Sequence, residues 1–132
     1  MEFIIYLFLL GRILLGGYLV MSGVDHIKNF NGMVGYATGK GSPMPTLSVL
    51  VWTVIILTGG FSIIFGVYTT WFILLLGFGL LPVTFIMHAF WKVSDPQMRV
   101  MEKVQFMKNL ALAGAILMLL AIPTPWPLSL FY

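Results

Sequence analysis

The chain has 132 residues, of which 60% are hydrophobic and only 8% are charged, and it contains no cysteine. A soluble globular domain carries about 25% charged residues, so this composition and a mean hydropathy of +1.02 exclude that class and indicate an integral membrane protein. A formal charge of +3 is too small for a nucleic-acid-binding surface, and the lack of cysteine excludes disulfides, thiol chemistry and cysteine-ligated metal sites.

The first predicted membrane span runs from residue 3 to residue 24, long enough to cross a hydrocarbon core about 30 Å thick. Arg12 lies near its middle, where contact with lipid is costly, so we expect it to be a buried intramembrane charge. Its partner would be backbone carbonyls of the bundle, or else an ion pair or a ligand. Glu2 stands where a secretory signal has basic residues, so we expect this segment to be retained. Three glycines would let another helix approach closely, namely Gly16, Gly17 and Gly23.

The connection after the first span is punctuated by glycine and proline, yet it is too apolar for a solvated loop. It predicts a short interfacial or re-entrant segment, built on Phe30, Met33, Val34 and Tyr36. The second span (46–66) and the third (70–91) are separated by so few residues that they should form an antiparallel hairpin. Asp95 is a predicted helix N-cap and Pro96 a first helical residue, opening a helix whose membrane span is 105–122.

These elements predict an all-α fold, an integral membrane four-helix bundle forming one transmembrane domain over residues 1–132. Its interfacial or re-entrant segment lies between the first and second spans. The basic residues outside the membrane all fall in or beside the connections after the first and third spans: Lys28, Lys40, Lys92, Arg99, Lys103 and Lys108. The positive-inside rule puts those connections in the cytoplasm and both termini outside it, in the inner or plasma membrane of a prokaryote.

The third span contains the stretch LLPVTFIMHAFWK (residues 80–92), in which polar residues interrupt an apolar run. A histidine at the end of a hydrophobic span indicates a functional site, or else an interfacial residue bonded to a neighbour or lipid. Pro82 tends to kink the helix that carries His88, and Thr84 lies one turn before His88 on the same face. On the fourth helix, Gln105 and Asn109 form a second polar stripe. We expect His88 and Asn109 to face each other.

Seven polar residues should share the cytoplasmic end of the bundle: Asp25, His26, His88, Glu102, Gln105, Lys108 and Asn109. Such a group would bind a polar headgroup, relay protons or hold a cofactor, or it would simply form a charged rim beside lipid headgroups. Haem ligation by His26 and His88 is disfavoured, because His26 adjoins the aqueous connection. No histidine–carboxylate spacing typical of a metal site is present, so we expect no metal.

The order and spacing of five motifs resemble the DoxX family over residues 11–120. The motifs are GRILLGGYLVMSGVDHIKNF, F-x-G…Y…G-x-P, GG…G-V-Y-T, T-x-x-x-H-x-F-W and F-M-K-N-L-A-L-A-G. The positions that match the family pattern are Arg12, Gly16, Gly23, Lys28, Pro43, Gly60, Gly66, His88, Lys108, Asn109 and Gly114. The resemblance implies a small four-helix prokaryotic membrane protein. Some relatives are the membrane part of a thiosulfate:quinone oxidoreductase, others are linked to oxidative-stress complexes, and many have no defined activity.

Two functions follow as hypotheses, and neither settles whether the chain is an enzyme. The first is an accessory subunit of a larger, redox-linked membrane complex, with a protein partner or a second copy of the chain. The second is an oxidoreductase subunit that binds a quinone near His88 and Asn109, whose donors would meet its carbonyl oxygens. The candidate ligand-binding residues are His88, Lys108, Asn109, Thr84, Asp25 and His26. A channel is a third and weaker hypothesis, because so short a chain would line a pore only as an oligomer.

Overall fold

The computed structural model describes residues 1–130, and every regular element in that range is helical. The helices are α1 (Glu2–Lys28), α2 (Phe30–Gly39), α3 (Pro45–Phe65), α4 (Thr69–Met87) and α5 (Pro96–Met118), with 3-10 turns at Phe90–Lys92 and Leu119–Ala121. Helices α1, α3, α4 and α5, the last two with their adjoining 3-10 turns, are long and apolar enough to cross a membrane. The predicted all-α four-span fold is confirmed, and the short helix α2 occupies the place of the predicted interfacial segment.

The four long helices pack in chain order. Helix α1 packs against α3, α3 against α4 and α4 against α5, while α2 lies against α3 and α1. Within the described residues, α1 and α5 have no extensive packing contact with each other. The ring of helices is therefore incomplete on the side between α1 and α5.

The contact between α1 and α3 depends on glycines at the point of closest approach. A Cβ atom added to Gly16 would lie 2.6 Å from the carbonyl oxygen of Gly60, and one added to Gly60 would lie 2.8 Å from the carbonyl oxygen of Gly16. These separations are shorter than a van der Waals contact, so side chains at either position would force the backbones apart. The predicted role in close packing is confirmed for Gly16, whereas it is wrong for Gly17, where an added Cβ would meet nothing within 4 Å.

The chain after α5 returns across the bundle to α1 and α3. The Trp126 side chain is 2% exposed and its ring meets that of Phe8 edge to face at 5.3 Å. The Leu130 amide donates to the Phe65 carbonyl at 2.9 Å, at the end of α3. This segment joins the main apolar core, which consists of Leu19, Ile56, Ile63, Ile73, Leu76, Ile116 and Trp126.

Helix α4 ends at Met87, four residues before the predicted end of the third span at 91. Ala89 has φ −72° and ψ 75°, and the Phe90 amide donates to the His88 carbonyl at 2.8 Å, which together describe an inverse γ-turn. Pro82 stands inside the helix and does not end it. The turn after His88 redirects the chain towards α5. That helix begins as predicted, with Pro96 in its first turn and Asp95 Oδ2 accepting the Met98 amide at 3.4 Å.

Candidate functional site

A cavity of about 570 Å³ lies among all five helices, on the side where the described residues show no extensive contact between α1 and α5. Most of its wall is apolar, with Trp52, Leu80 and Leu112 on three different helices. The wall also carries polar side chains, namely Ser22, His26, Tyr36, Ser42, Ser48, His88, Gln105 and Asn109. Tyr18 belongs to the lining although it is 54% exposed, so the cavity reaches the outer surface of the bundle.

His88 is held by a carboxylate on α5. Its ring nitrogen Nδ1 lies 2.8 Å from Glu102 Oε2, and the two side chains are 18% and 14% exposed. Since a carboxylate only accepts hydrogen bonds, Nδ1 carries the proton in this contact. The contact fixes the orientation of the ring at the edge of the cavity.

Glu102 has two further partners, both from the short helix α2 and the residue that ends it. Lys40 Nζ lies 3.2 Å from Glu102 Oε1, and the Tyr36 hydroxyl donates to the same oxygen at 3.3 Å. Partial burial and the charge of Glu102 raise the pKa of Tyr36, so its hydroxyl stays protonated and remains a donor. Glu102 thus joins α2, α5 and the end of α4.

Aromatic packing brings His88 and Glu102 together. Phe106, one turn after Glu102, is buried against Phe85, Phe90 and Trp91, with ring centroids 5.1 to 5.6 Å apart. Phe85 precedes His88 in α4, and the other two follow it in the 3-10 turn. The cluster locks the corner between α4 and α5 and sets the depth at which Glu102 meets His88.

His26 occupies the α1 side of the same cavity. Its Nδ1 atom lies 3.2 Å from the hydroxyl of Thr53, which itself donates to the Val49 carbonyl at 2.7 Å. Asp25 is exposed and is not part of the cavity wall.

Among the remaining predicted residues, Asn109 and Gln105 line the cavity, whereas Thr84 and Lys108 do not. The buried Thr84 hydroxyl donates to the Leu80 carbonyl of its own helix at 2.6 Å, and Lys108 is exposed. His88 and Asn109 share the cavity wall, but the hydrogen bond of His88 goes to Glu102. Sequence reasoning placed Glu102 at this end of the bundle without pairing it with His88, and it did not connect Tyr36 or Lys40 with the site. Both residues are more than 60 positions from Glu102 in the sequence, so no local sequence pattern indicates that they contact it.

The comparisons with known proteins agree with the fold. The family model described as DoxX matches residues 7–89. This chain belongs to the DoxX family. It is also 31% identical over 124 residues to the inner membrane protein YphA of Escherichia coli strain K12, covering 94% of this chain and 87% of that relative. No solved structure matches it. The DoxX match includes His88 and ends before Glu102, so the carboxylate partner lies outside the matched region.

A second polar centre of this DoxX protein lies around Arg12, which is 2% exposed. Its Nε donates to the Ile63 carbonyl at 2.9 Å, one terminal nitrogen donates to Ile64 at 2.7 Å, and the other donates to Pro127 at 2.6 Å. The guanidinium carbon also lies 5.6 Å from the Trp126 ring centre. The sequence left backbone carbonyls, an ion pair or a ligand open as partners of Arg12, and the structure shows hydrogen bonds to backbone carbonyls.

The histidines and carboxylates of this DoxX protein do not gather as a metal site. Within residues 1–130, no three metal-capable side chains lie close enough together to hold an ion. His88 is oriented by one carboxylate, and His26 is paired with a hydroxyl on another helix. The arrangement instead offers two imidazoles and two amides in the wall of a largely apolar cavity.

Proposed function

We propose that this DoxX protein is a subunit of a redox-linked membrane complex and binds a quinone-type ligand in the cavity beside His88. The observation that carries the proposal is the combination, in one cavity, of an imidazole held by Glu102 and an otherwise mostly apolar wall. A quinone needs hydrogen-bonding groups at its ring oxygens and an apolar channel for its tail.

The size and position of the cavity support this ligand class. Its volume of about 570 Å³ lies within the range of about 300–1,000 Å³ that small-molecule sites occupy. The imidazole of His88 and the amides of Asn109 and Gln105 come from α4 and α5, on one side of the cavity. The opening between α1 and α5 faces the bilayer if these helices span it, so a lipid-soluble ligand would enter without crossing water.

Quinone content of the gently solubilised protein tests the proposal. We expect solvent extraction and chromatography to recover about one quinone per chain from the parent, and at least tenfold less from His88→Phe and Asn109→Leu. Lys108→Gln is the matched control, because Lys108 adjoins Asn109 in sequence and is exposed outside the cavity. Equal quinone in all four proteins, or none in the parent, would refute the proposal. A Soret band in the absorbance spectrum would indicate haem instead.

A second function, that of a non-enzymatic accessory subunit, is favoured by how the polar groups are used. Arg12 donates to three backbone carbonyls, and His26 pairs with Thr53 across two helices, so these groups fix the packing of the bundle. Purification with a stoichiometric larger partner and without quinone would support this function. If this second function is correct, the His88→Phe and Asn109→Leu variants should still purify with the partner.

We also propose that the end of the bundle bearing His88 faces the cytoplasm and that both termini lie outside it. The support is the grouping of basic residues at this end, where Lys40 meets Glu102, while Arg12 on the other side is buried. Reporter fusions to the C-terminus test the orientation. We expect a reporter that works only in the periplasm to be active. Activity only of a reporter that works in the cytoplasm would show that the orientation is the opposite.

A further inference from the structure

Glu102, Lys40 and Tyr36 form a polar cluster with His88. The contact with Glu102 decides whether His88 offers the cavity a hydrogen-bond donor or an acceptor. Because Glu102 accepts from Nδ1, the proton of a neutral His88 ring resides on Nδ1. The other ring nitrogen, Nε2, then carries a lone pair and no hydrogen. It has no hydrogen-bond partner among the described residues, and His88 lines the cavity whereas Glu102 does not.

The Glu102 carboxylate has both His88 and Lys40 as partners. The charged groups that face His88 are Glu102 from α5 and, through it, Lys40 at the end of α2, and Tyr36 adds a neutral hydroxyl. The Lys40 ammonium already balances the Glu102 carboxylate, so a neutral imidazole leaves this partly buried cluster with no net charge.

From this geometry we infer that the cavity selects a ligand whose headgroup donates a hydroxyl hydrogen to Nε2 of His88. Within the quinone class, on which this inference rests, that ligand is the reduced hydroquinone rather than the oxidised quinone. A hydroquinone hydroxyl donates to Nε2, whereas a quinone carbonyl would place its own lone pairs against that of the nitrogen. Glu102 is a positioning residue, since it acts on the ligand only through His88.

The other polar groups of the cavity do not impose this preference. Asn109 and Gln105 carry amides, which donate or accept by rotation and suit either redox form. His26, on the α1 side of the cavity, donates from Nδ1 to the Thr53 hydroxyl, whose own hydrogen goes to the Val49 carbonyl. Among the groups on the α4 and α5 side, His88 is therefore the one whose hydrogen-bonding direction the protein itself has fixed.

The first measurement is the protonation of the His88 ring in the full-length protein, without any added ligand. Nitrogen-15 NMR of histidine-labelled protein in lipid nanodiscs should show a neutral ring protonated on Nδ1. The chain has only two histidines, so the signal missing from His88→Phe identifies His88. In Glu102→Gln, the amide can also donate to Nδ1, and we expect the form protonated on Nε2 to appear. A parent ring protonated on Nε2 or on both nitrogens would overturn the inference.

The second measurement compares the binding of decylubiquinone with that of its reduced form, decylubiquinol, to the same nanodiscs. We expect the parent to bind the reduced form about tenfold more tightly, the ratio that one hydrogen bond supports. Glu102→Gln should reduce this preference to less than about threefold. Glu2→Gln is the matched control, because it makes the same chemical change at the start of α1, and it should behave as the parent.

The outcomes separate the two proposals. If both forms bind the parent equally well, a quinone site remains and selection by His88 is wrong. If the oxidised form binds more tightly, the hydrogen-bonding direction assigned to His88 is wrong. If neither form binds, the proposed function fails, and the inference with it, whatever the NMR spectrum shows.

Discussion

At the scale of single residues, Arg12 illustrates how backbone carbonyls can hold a buried cation. Two of its partners, the carbonyls of Ile63 and Ile64, belong to the last turn of α3, where no further turn supplies amide donors. That end of a helix also carries partial negative charge. Arg12 therefore caps α3, and its bond to Pro127 ties the returning C-terminal segment to the same place.

Removal of the guanidinium should loosen the bundle more than it impairs insertion into the membrane. We expect Arg12→Leu to lower the free energy of unfolding by about 2 kcal/mol, taking each of its three hydrogen bonds at the roughly 0.6 kcal/mol of an interhelical bond in a membrane. Arg12→Lys keeps the charge but lacks the planar fork, so its loss should be intermediate. Thermal unfolding in detergent and the size of the solubilised species measure this. A leucine variant identical to the parent in both would show that Arg12 does not support packing.

Trp126 gives a different expectation, because its indole nitrogen is buried with no partner in the part of the chain that the structure describes. Trp126→Phe removes this unsatisfied group and keeps most of the contact with Phe8, so we expect stability to change by less than about 1 kcal/mol. Trp126→Ala leaves a cavity and should cost about 3–5 kcal/mol. The same thermal unfolding series compares them. A phenylalanine variant as unstable as the alanine variant would mean that the indole N–H has a partner.

The candidate site marks the limit of residue-level prediction. A buried position for Arg12 follows from the cost of placing charge in lipid, and polar positions at His88 and Asn109 follow from their place at the ends of apolar runs. The His88–Glu102 pair does not follow, because a γ-turn at Ala89 ends α4 at this point. Thr84 lies one helical turn before His88, whose amide donates to the Thr84 carbonyl at 3.0 Å, but the Thr84 hydroxyl donates to the Leu80 carbonyl of its own helix.

At the scale of elements, hydropathy and breakers predict the four spans and the short helix between the first two. Their lengths are set by the bilayer, and their ends by proline, glycine and Asp95. The order in which the helices pack is harder to predict, because most of their faces are apolar and carry little directional pattern. Glycines are the exception, since a close approach requires them.

Two adjacent glycines of α1 should respond oppositely to a methyl group. A Cβ on Gly16 would lie 2.5 Å from Cγ1 of Ile64 and 2.6 Å from the Gly60 carbonyl oxygen, whereas a Cβ on Gly17 meets nothing within 4 Å. Gly16→Ala should therefore lower the free energy of unfolding by about 1–3 kcal/mol. Gly17→Ala should leave it unchanged or raise it by up to about 1 kcal/mol through helix propensity. Unfolding in mixed detergent measures both, and equal effects would contradict the close α1–α3 contact.

At the scale of the whole molecule, the gap between α1 and α5 is bridged at its two ends by other parts of the chain. At one end, Trp126 and Pro127 of the C-terminal segment contact Phe8 and Arg12 of α1. At the other end, α2 and Lys40 reach Glu102 of α5. The cavity lies where the described parts of α1 and α5 lack extensive contact, and the exposed Tyr18 in its wall marks a lateral opening.

Because the chain has no native cysteine, single cysteines can probe that opening directly. Leu112 lines the cavity, whereas its neighbour Ala113 is 1% exposed and packed inside the bundle. We expect N-ethylmaleimide, which partitions into lipid, to label Leu112→Cys at least tenfold faster than Ala113→Cys in nanodiscs, as followed by intact mass. Added decylubiquinol should slow the first reaction only. Equal labelling of the two cysteines would show that the cavity is closed to the bilayer. If Leu112→Cys is labelled fast and decylubiquinol does not slow the reaction, the cavity is open but does not bind this ligand.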